Sequence, residues 1–554
     1  MLALRRALYA LLVLVCCAAP LALLWRALGH GGWTIWEGAI FALVALITPW
    51  IATLFASSLV GFLILHFAPD PLAATWAPQS EAPPAGRTAI AVAVRNEDLA
   101  AVLARCVPLL DGLPVETFDL WVLSDTQDEA LAAAEAAALA AFRAGRADAR
   151  RVHYRRRTGN EGFKAGNVMQ FLRAHGQSYA FMVSLDADSV MSAAKVDALV
   201  RQLAAHPDVA LIQTLIAARP SADAFPRLFQ FGMRHGMRAY AAGIAWWQGP
   251  DGPYWGHNAV LRVAAFRDHA ELPTLPGGAR ILSHDQVEAA MLRAAGFAVR
   301  LDPREGGSWE ANPPDMLAFI ARDIRWMAGN LQYFALLRMP LFRAMGRVQL
   351  GLAILLFLMS PVLFLVSLLA LANAHDPAGS VGAASGLAAT WLLALMYWSP
   401  KLFGAAQIAL DPGNRAAWGG AAVLARGVTA EFAFDLLLMP IRIVAHSVGM
   451  AAMLLGRKVG WAPQQREAAR LPLHHAVRAL WWHTLAGAAL CAGFAAAGAL
   501  PLLWALPFLL GPLLAIPFCL ATSDPQFGRW LTRRRIAALS EEFDPASPFP
   551  PFAV

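Results

Sequence analysis

Apolar positions fall into long unbroken runs at both ends of the chain and into short alternating runs between them. Residues 11–25 are uncharged between Arg5/Arg6 and Arg26, and residues 39–66 contain no Asp, Glu, Lys or Arg. Each run reaches, or nearly reaches, the ~20 residues of a spanning helix. The first has the look of a signal peptide, but it lacks a small-residue cleavage site and a second span follows at once, so it reads as a retained anchor. A Pro/Ala-rich linker covers residues 71–86. From there to about residue 347, short apolar runs predict strands at 88–94, 118–123, 152–155, 181–185, 209–213, 255–261 and 298–301. Helical patterns such as 129–143 and 194–205 lie between them. This alternation predicts βαβ units and a mainly parallel sheet. Ligands of such sheets bind beyond the carboxyl ends of the strands.

Long apolar runs resume at 348–373 and 386–403, and at 484–500 and 502–521 with breaks at Pro501 and Gly511. The run 430–455 is interrupted by Glu431, Asp435 and Arg442. A single crossing there would put the basic loop 457–478 outside, against the positive-inside rule. Two short crossings, or a re-entrant segment starting near Trp418, would restore a cytoplasmic loop. The expected total is therefore even, about eight, with both termini inside. The resulting division is 1–68, two spans; 69–312, a cytoplasmic α/β domain; 313–347, interfacial helices; 348–522, a second membrane region with a cytoplasmic loop at 457–480; and 523–554, a cytoplasmic tail.

Composition agrees. The 554 residues are 58% hydrophobic and 15% charged, with mean hydropathy +0.49; a soluble domain has about 25% charged residues. The net charge of +7 resides largely in flanks of the apolar runs: Arg338, Arg343 and Arg347; Arg457, Lys458 and Arg466; Arg529 and Arg533 to Arg535. No basic face of a soluble fold is evident, which argues against nucleic acid as a partner. Arg155-Arg156-Arg157 is the nearest candidate, and it reads as facing anionic lipid or a nucleotide phosphate. Cys16, Cys17, Cys106, Cys491 and Cys519 lack metal spacing, and no disulfide is expected.

The chemistry concentrates at predicted strand ends. Asp186 and Asp188, at positions i and i+2 where strand 181–185 ends, project to one side. Such a pair suits Mg²⁺ or Mn²⁺ bridging to substrate phosphates. Asn96 and Glu97 end the first strand and line the entrance to a nucleotide pocket. Asp125 ends the second and suits a base or ribose. In Asn160-Glu-Gly-Phe-Lys164-Ala-Gly166-Asn167, Lys164 offers a point charge to a phosphate. Asp285, in Ser283-His284-Asp285 before a helix 286–295, is the candidate general base. The amphipathic stretch 316–337 carries Arg325, which suits a diphosphate, and Trp326, which suits a sugar ring.

In combination these motifs resemble processive membrane glycosyltransferases of family 2, the group of cellulose and hyaluronan synthases. The runs Tyr254-Trp-Gly-His-Asn258-Ala, Ile281-Leu-Ser-His-Asp285, Arg325-Trp326-Met-Ala-Gly-Asn330-Leu and Trp461-Ala-Pro-Gln-Gln-Arg466 are similar to the glucan biosynthesis glucosyltransferase H family, as is Val183-Ser-Leu-Asp186-Ala-Asp188-Ser-Val-Met191.

The resemblance implies a glycosyltransferase A-type domain inserted in a polytopic inner-membrane protein. It implies polymerisation of glucose from UDP-glucose into a β-1,2 backbone and its export for osmoregulated periplasmic glucans. Asn96, Glu97, Asp125, Lys164, Asn167, Asp186, Arg325 and Trp326 would bind the donor. Asp186 and Asp188 would hold the metal, Asp285 would be the base, and Trp255, His257 and Trp326 would meet the acceptor. Other expected partners are the growing glucan, membrane lipid, an acyl carrier protein and a periplasmic glucan-modifying protein. Arg322 stands where the broader group has glutamine. Longer members carry a soluble N-terminal extension, so contacts made through it are not expected here. The alternatives are a synthase of another polysaccharide and a transporter that only binds a nucleotide sugar.

Overall fold

A computed structural model describes residues 1–76, 80, 84–457, 470–549 and 552. Two long helices, α1 (Leu2–Leu28) and α2 (Ile35–Phe67), open the chain. The α/β region follows, with β1 (Thr88–Val94), α3 (Leu99–Asp111), β2 (Phe118–Ser124), α4 (Glu129–Ala144), β3 (Val152–Arg156), α5 (Phe163–His175) and β4 (Phe181–Asp186). It continues through β5 (Val190–Met191), α6 (Ala193–Ala205), β6 (Val209–Thr214), β7 (Ala217–Ala218), α7 (Ala224–Gln248), β8 (Ala259–Arg262), α8 (Asp285–Ala294), β9 (Ala298–Asp302) and β10 (Ser308–Glu310). Seven strands form one sheet in the order β3-β2-β1-β4-β8-β6-β9, and β5-β10-β7 form a second. Every pairing in the large sheet is parallel except those of β8. The central strands are buried on both faces, so they read as continuous apolar runs.

The register places the site. Val94 pairs with Ser124, Ser124 with Arg156, and Ala93 with Asp186. Four parallel strands therefore end level, and Asn96, Asp125, Arg157 and Asp186 leave the same edge. The strand expected at 255–261 begins only at Ala259. Gly256 and Asn258 have φ of +86° and +49°, which break an extended path.

The chain then forms α9 (Met316–Leu331), α10 (Ala344–His375), α11 (Ala383–Leu410), α12 (Ala421–Leu454), α13 (Leu473–Ala497), α14 (Ala499–Leu513), α15 (Ala515–Thr522) and α16 (Pro525–Arg533). The stretch 316–337 is not one helix, since it breaks at Gln332. Among the described residues five helices are long and apolar enough to cross a membrane: α1, α2, α10, α12 and α13. The pair α14–α15, bent by 51°, makes a sixth candidate.

Contacts show which helices run from end to end of this bundle. At one end Thr34 and Glu37 of α2 meet Asn373 of α10, Ser380 bonds Glu37, and the Gly382 N–H donates to the Ala27 carbonyl at 2.8 Å. At the other end Arg6 of α1 pairs with Asp251 at 2.5 Å, Gln349 of α10 reaches the Asp251 carbonyl, and α2 and α11 pack against α7. α13 runs from Ser523, at the end of α15, to Leu371 near the far end of α10. Six traverses result: α1, α2, α10, α11, α13 and α14–α15.

α12 behaves differently. At the far end of the bundle α10 finishes at His375 and α11 starts at Ala383. The Glu431 of α12 bonds Lys401 of α11, its Arg442 bonds Tyr397 of α11, and its His446 bonds Ser360 of α10. At about 1.5 Å of rise per residue, these three contacts lie about 27, 21 and 22 Å from that far end. Between Glu431 and His446 the helix itself is also about 22 Å long, yet its level changes by only about 5 Å. It lies nearly in plane, with Gly449 against Ile324 and Met327 of α9. Residues 421–454 form one continuous helix, not two short ones, and six elements among the described residues run from end to end of the bundle. The loop motif Trp461–Arg466 lies outside the described residues.

Candidate active site

Asp186 is the last residue of β4, and Asp188 lies in the turn that follows. Ser189 fixes this turn, its Oγ accepting the Asp186 N–H at 3.0 Å. Lys164, in the first turn of α5, ion-pairs with Asp186. The same ammonium donates to the Gly256 carbonyl at 2.9 Å. That carbonyl is a hub, also accepting from Ser184 Oγ at 3.1 Å and the Tyr254 hydroxyl at 3.0 Å. On the other side of Gly256 stands Asp285. A Cβ built on Gly256 would lie 3.8 Å from its carboxylate oxygen. The acidic turn and the candidate base thus face one loop, bridged by one lysine.

Asp285 is the first residue of α8, so the helix begins just ahead of the expected 286. An acid there is favoured by the helix dipole. Its neighbour His284 bonds buried Glu288 at 2.8 Å. Burial works against the imidazolium, but the Glu288 carboxylate outweighs it and raises the His284 pKa. Behind them Gly329 of α9 packs on Ser283. A Cβ at that position would come within 2.8 Å of the Ser283 nitrogen and 2.9 Å of its Cβ. This contact seats the helix carrying Arg325 and Trp326 against the Asp285 loop. Trp326 is 47% exposed, and the Arg322 guanidinium lies 4.3 Å over its ring. Arg322 thereby helps hold the ring in place.

His257 sits beside the acidic turn, with Nδ1 3.3 Å from Ser189 Oγ and Nε2 3.3 Å from Glu310. Burial disfavours its charge, but Asp186 and Glu310 prevail and push its pKa up to about 9.

Other predicted residues play bracing roles. Asp125 is 5% exposed. It ion-pairs with Arg157, whose second nitrogen donates to it at 2.8 Å, and it accepts from Asn167 Nδ2 at 3.0 Å. Burial raises its pKa, against the pull of Arg157. Asn167 is itself buried, bonding the Leu123 carbonyl and Arg155. Its side chain braces Asp125. The three arginines 155–157 are all engaged internally, Arg155 on Asn167 and Gln170, Arg156 on Glu129 and Arg157 on Asp125. Arg157 is buried, while Arg155 and Arg156 stay partly exposed. Asn96, at φ +56°, donates its N–H to Thr126 Oγ1 at 2.7 Å. Thr126, Ser124 and Tyr154 all donate to buried Glu135, which the sequence reading missed. Trp255 is half-buried and packs with Leu215, Ile244 and Leu301, while Trp247 stacks on Tyr9.

Among the described residues no three His, Cys, Asp or Glu side chains gather as a complete metal site. Two carboxylates in a fixed turn still fit a hard cation whose remaining ligands come from phosphate and water. The ammonium already seated on Asp186 marks the demand for positive charge there.

Residues 89–270 match the model of glycosyl transferase family 2, and residues 181–403 that of glycosyl transferase family group 2. With the level strand ends and the acidic turn, this defines a family 2 glycosyltransferase with a GT-A-like domain and several apolar helices. Relatives narrow the class. Glucans biosynthesis glucosyltransferase H of Caulobacter vibrioides (strain NA1000 / CB15N) is 34% identical over 548 residues, covering 93% of this chain and 81% of the relative. That of Vibrio cholerae serotype O1 (strain ATCC 39541 / Classical Ogawa 395 / O395) is 34% identical over 541 residues, covering 93% and 74%. The chain belongs to the glucans biosynthesis glucosyltransferase H family and is a hexosyltransferase. Among solved structures, the mannosyltransferase PcManGT from Pyrobaculum calidifontis, in complex with GDP-Man and Mn²⁺, is 18% identical with TM-score 0.43, covering 66% of this chain and 98% of that one.

Proposed function

We propose that this chain is a processive inverting glucosyltransferase of the bacterial inner membrane. It takes glucose from UDP-glucose, extends a linear β-1,2-glucan and passes it outward for osmoregulated periplasmic glucans. The observation that carries this reading is the Lys164 bridge, which ties the acidic turn at Asp186 to the Gly256 loop faced by Asp285.

Asp186 and Asp188 would hold a divalent cation, Mg²⁺ or Mn²⁺, whose positive charge would offset that of the departing diphosphate. Lys164 and Arg325 add positive charge where that leaving group develops. Asp285 takes the proton of the acceptor hydroxyl as it attacks. With one base and no paired nucleophile, a single displacement on an α-linked donor yields a β linkage. Asn96 and Glu97 line the donor entrance, and Asp125, stiffened by Arg157 and Asn167, shapes the uridine side. Trp255, His257 and Trp326 meet the acceptor. The linkage, like partnership with an acyl carrier protein and a periplasmic glucan-modifying protein, rests on family resemblance.

The catalytic domain and both termini lie on the cytoplasmic side in this reading. Arg338, Arg343, Arg347, Arg529 and Arg533 to Arg535 support it, because all flank the bundle end that meets the α/β domain.

The test is incorporation from radiolabelled UDP-glucose by membranes carrying the full chain with Mg²⁺, followed by linkage analysis. A β-1,2 polymer is expected. Another linkage overturns the product assignment, and no incorporation overturns the activity.

A further inference from the structure

Two buried arginines of α7 are claimed by the last described segment of the chain. Arg227, wholly buried, pairs with Glu542 at 2.9 Å and donates to the Ile536 carbonyl at 2.7 Å. Arg234 pairs with Glu541 at 2.7 Å and also with Glu305. Two buried charge pairs and a backbone contact exceed what a loosely attached tail needs. A buried arginine stripped of its partner is costly, so the segment is held firmly to α7.

The two glutamates differ in what lies beyond them. Among the described residues Glu542 reaches only Arg227 and the Leu539 N–H of its own turn. Glu541 continues, its Oε1 accepting the Trp309 indole N–H at 2.9 Å, while Phe549 packs edge-on against the same ring at 5.3 Å. Trp309 is the middle residue of β10. Its carbonyl accepts from Asn258 Nδ2 at 3.2 Å, and its neighbour Glu310 holds His257. Asn258 and His257 continue directly from Gly256, the loop shared by Lys164 and Asp285. A continuous chain of contacts thus runs from Glu541 through Trp309 and β10 to the wall between the acidic turn and the base.

We infer that Glu541 is a positioning residue: the segment 536–549 is a strap that sets β10, and through it the His257–Asn258 wall on which the acceptor sugar is aligned. Nothing in this role requires Glu541 to touch substrate. Its loss leaves donor cleavage possible while the acceptor hydroxyl is misaligned, so water competes better for the activated glucose. In that side reaction the glucose–phosphate bond breaks and water supplies the hydroxyl, giving free glucose and UDP. This inference rests on the glucosyltransferase reading above.

The discriminating measurement is the ratio of free glucose to polymer formed from radiolabelled UDP-glucose by the purified full chain with Mg²⁺. A merely structural role lowers both products together and leaves the ratio fixed. Glu541→Gln and Trp309→Phe are each expected to raise it about tenfold, within the ~10²-fold that an ångström of misplacement costs. Glu542→Gln, which removes a comparably buried pair on the same strap and helix, is expected to keep the wild-type ratio. Trp309→Phe keeps the ring against Phe549 and serves if Glu541→Gln fails to fold. An unchanged ratio in Trp309→Phe, or an equal rise in Glu542→Gln, overturns the inference. If the wild-type chain releases no UDP, the glucosyltransferase reading itself fails, and that outcome is distinct.

Discussion

Asp285→Asn separates chemistry from binding and folding most cleanly. The amide has the shape of the carboxylate and still occupies the first position of α8, beside Gly256. What folding loses is the attraction of an acid for the helix N-terminus, ~0.3–1 kcal/mol. What catalysis loses is a general base, about 10²–10⁴-fold in rate, which at 1.36 kcal/mol per decade is about 2.7–5.4 kcal/mol of barrier. The second quantity exceeds the first several-fold, so misfolding does not account for it. Donor binding is expected to persist, because Lys164 bonds Asp186 and the Gly256 carbonyl rather than Asp285. The assay is polymer formation from UDP-glucose by purified protein, paired with a UDP titration on the same sample. A variant that keeps more than about a tenth of the wild-type rate, or that loses UDP affinity in proportion to its rate, refutes the assignment of Asp285 as base.

Asp186→Ala and Asp188→Ala are each expected to weaken UDP binding in the presence of Mg²⁺ and to leave binding in chelator nearly unchanged, as a lost carboxylate ligand requires; equal affinities with and without metal in wild type and variants would remove the metal role. Gly329→Ala drives a Cβ into the Ser283 backbone and is expected to abolish polymerisation while UDP binding remains, read from the same paired assay. A cysteine at His474, an exposed position early in α13, in a chain whose five native cysteines are replaced, is expected to resist a membrane-impermeant thiol reagent in intact cells and to react once they are permeabilised. Labelling of intact cells would put the start of α13 outside and break the six-traverse arrangement.

The strands of the α/β region were legible because central parallel strands are buried on both faces and so read as short apolar runs. The run 88–94 coincides with β1. The runs opening at 118, 152, 181, 209 and 298 start where β2, β3, β4, β6 and β9 start and stop just short of their ends. The failure at 255–258 has a local cause, since two left-handed residues, Gly256 and Asn258, turn an apolar-looking run into the loop that carries the site. α7 was missed for the opposite reason. Its Arg227, Arg234 and His235 interrupt an apolar pattern, yet all are buried where the helix is enclosed by α2, α11, α12 and the carboxy-terminal segment. The acidic turn and Asp285 were legible as strand-end and helix-start acids. That they share the Gly256 loop was not, because Asp186, Gly256 and Asp285 are well separated along the chain and only the fold brings them together. Asp125 was readable as a strand end, but its partner Arg157 is set by the level endings of β2 and β3.

The membrane region shows where hydropathy stops carrying information. The sequence pattern gives 386–403, within α11, as a long apolar run and 430–455, largely within α12, as an interrupted one, yet the length and apolarity of the helices formed admit α12 and not α11. Orientation is not a property of composition. It follows from where contacts fall along neighbouring helices, and those contacts hold α12 near one level while α11 runs from the Gly382 end of the bundle to α7. Exchanging the two leaves the number of traverses even. The charge bias of residues 457–478 calls for an even number of crossings, and six elements running the length of the bundle are consistent with one. An in-plane α12 also accounts for Glu431, Asp435 and Arg442, which find Lys401, Trp398 and Tyr397 instead of facing lipid, where lone charges are costly. The same in-plane helix meets α9 at Gly449, and α9 meets the Asp285 loop at Gly329. Two glycine contacts thus link α12, through α9, to the loop that carries Asp285.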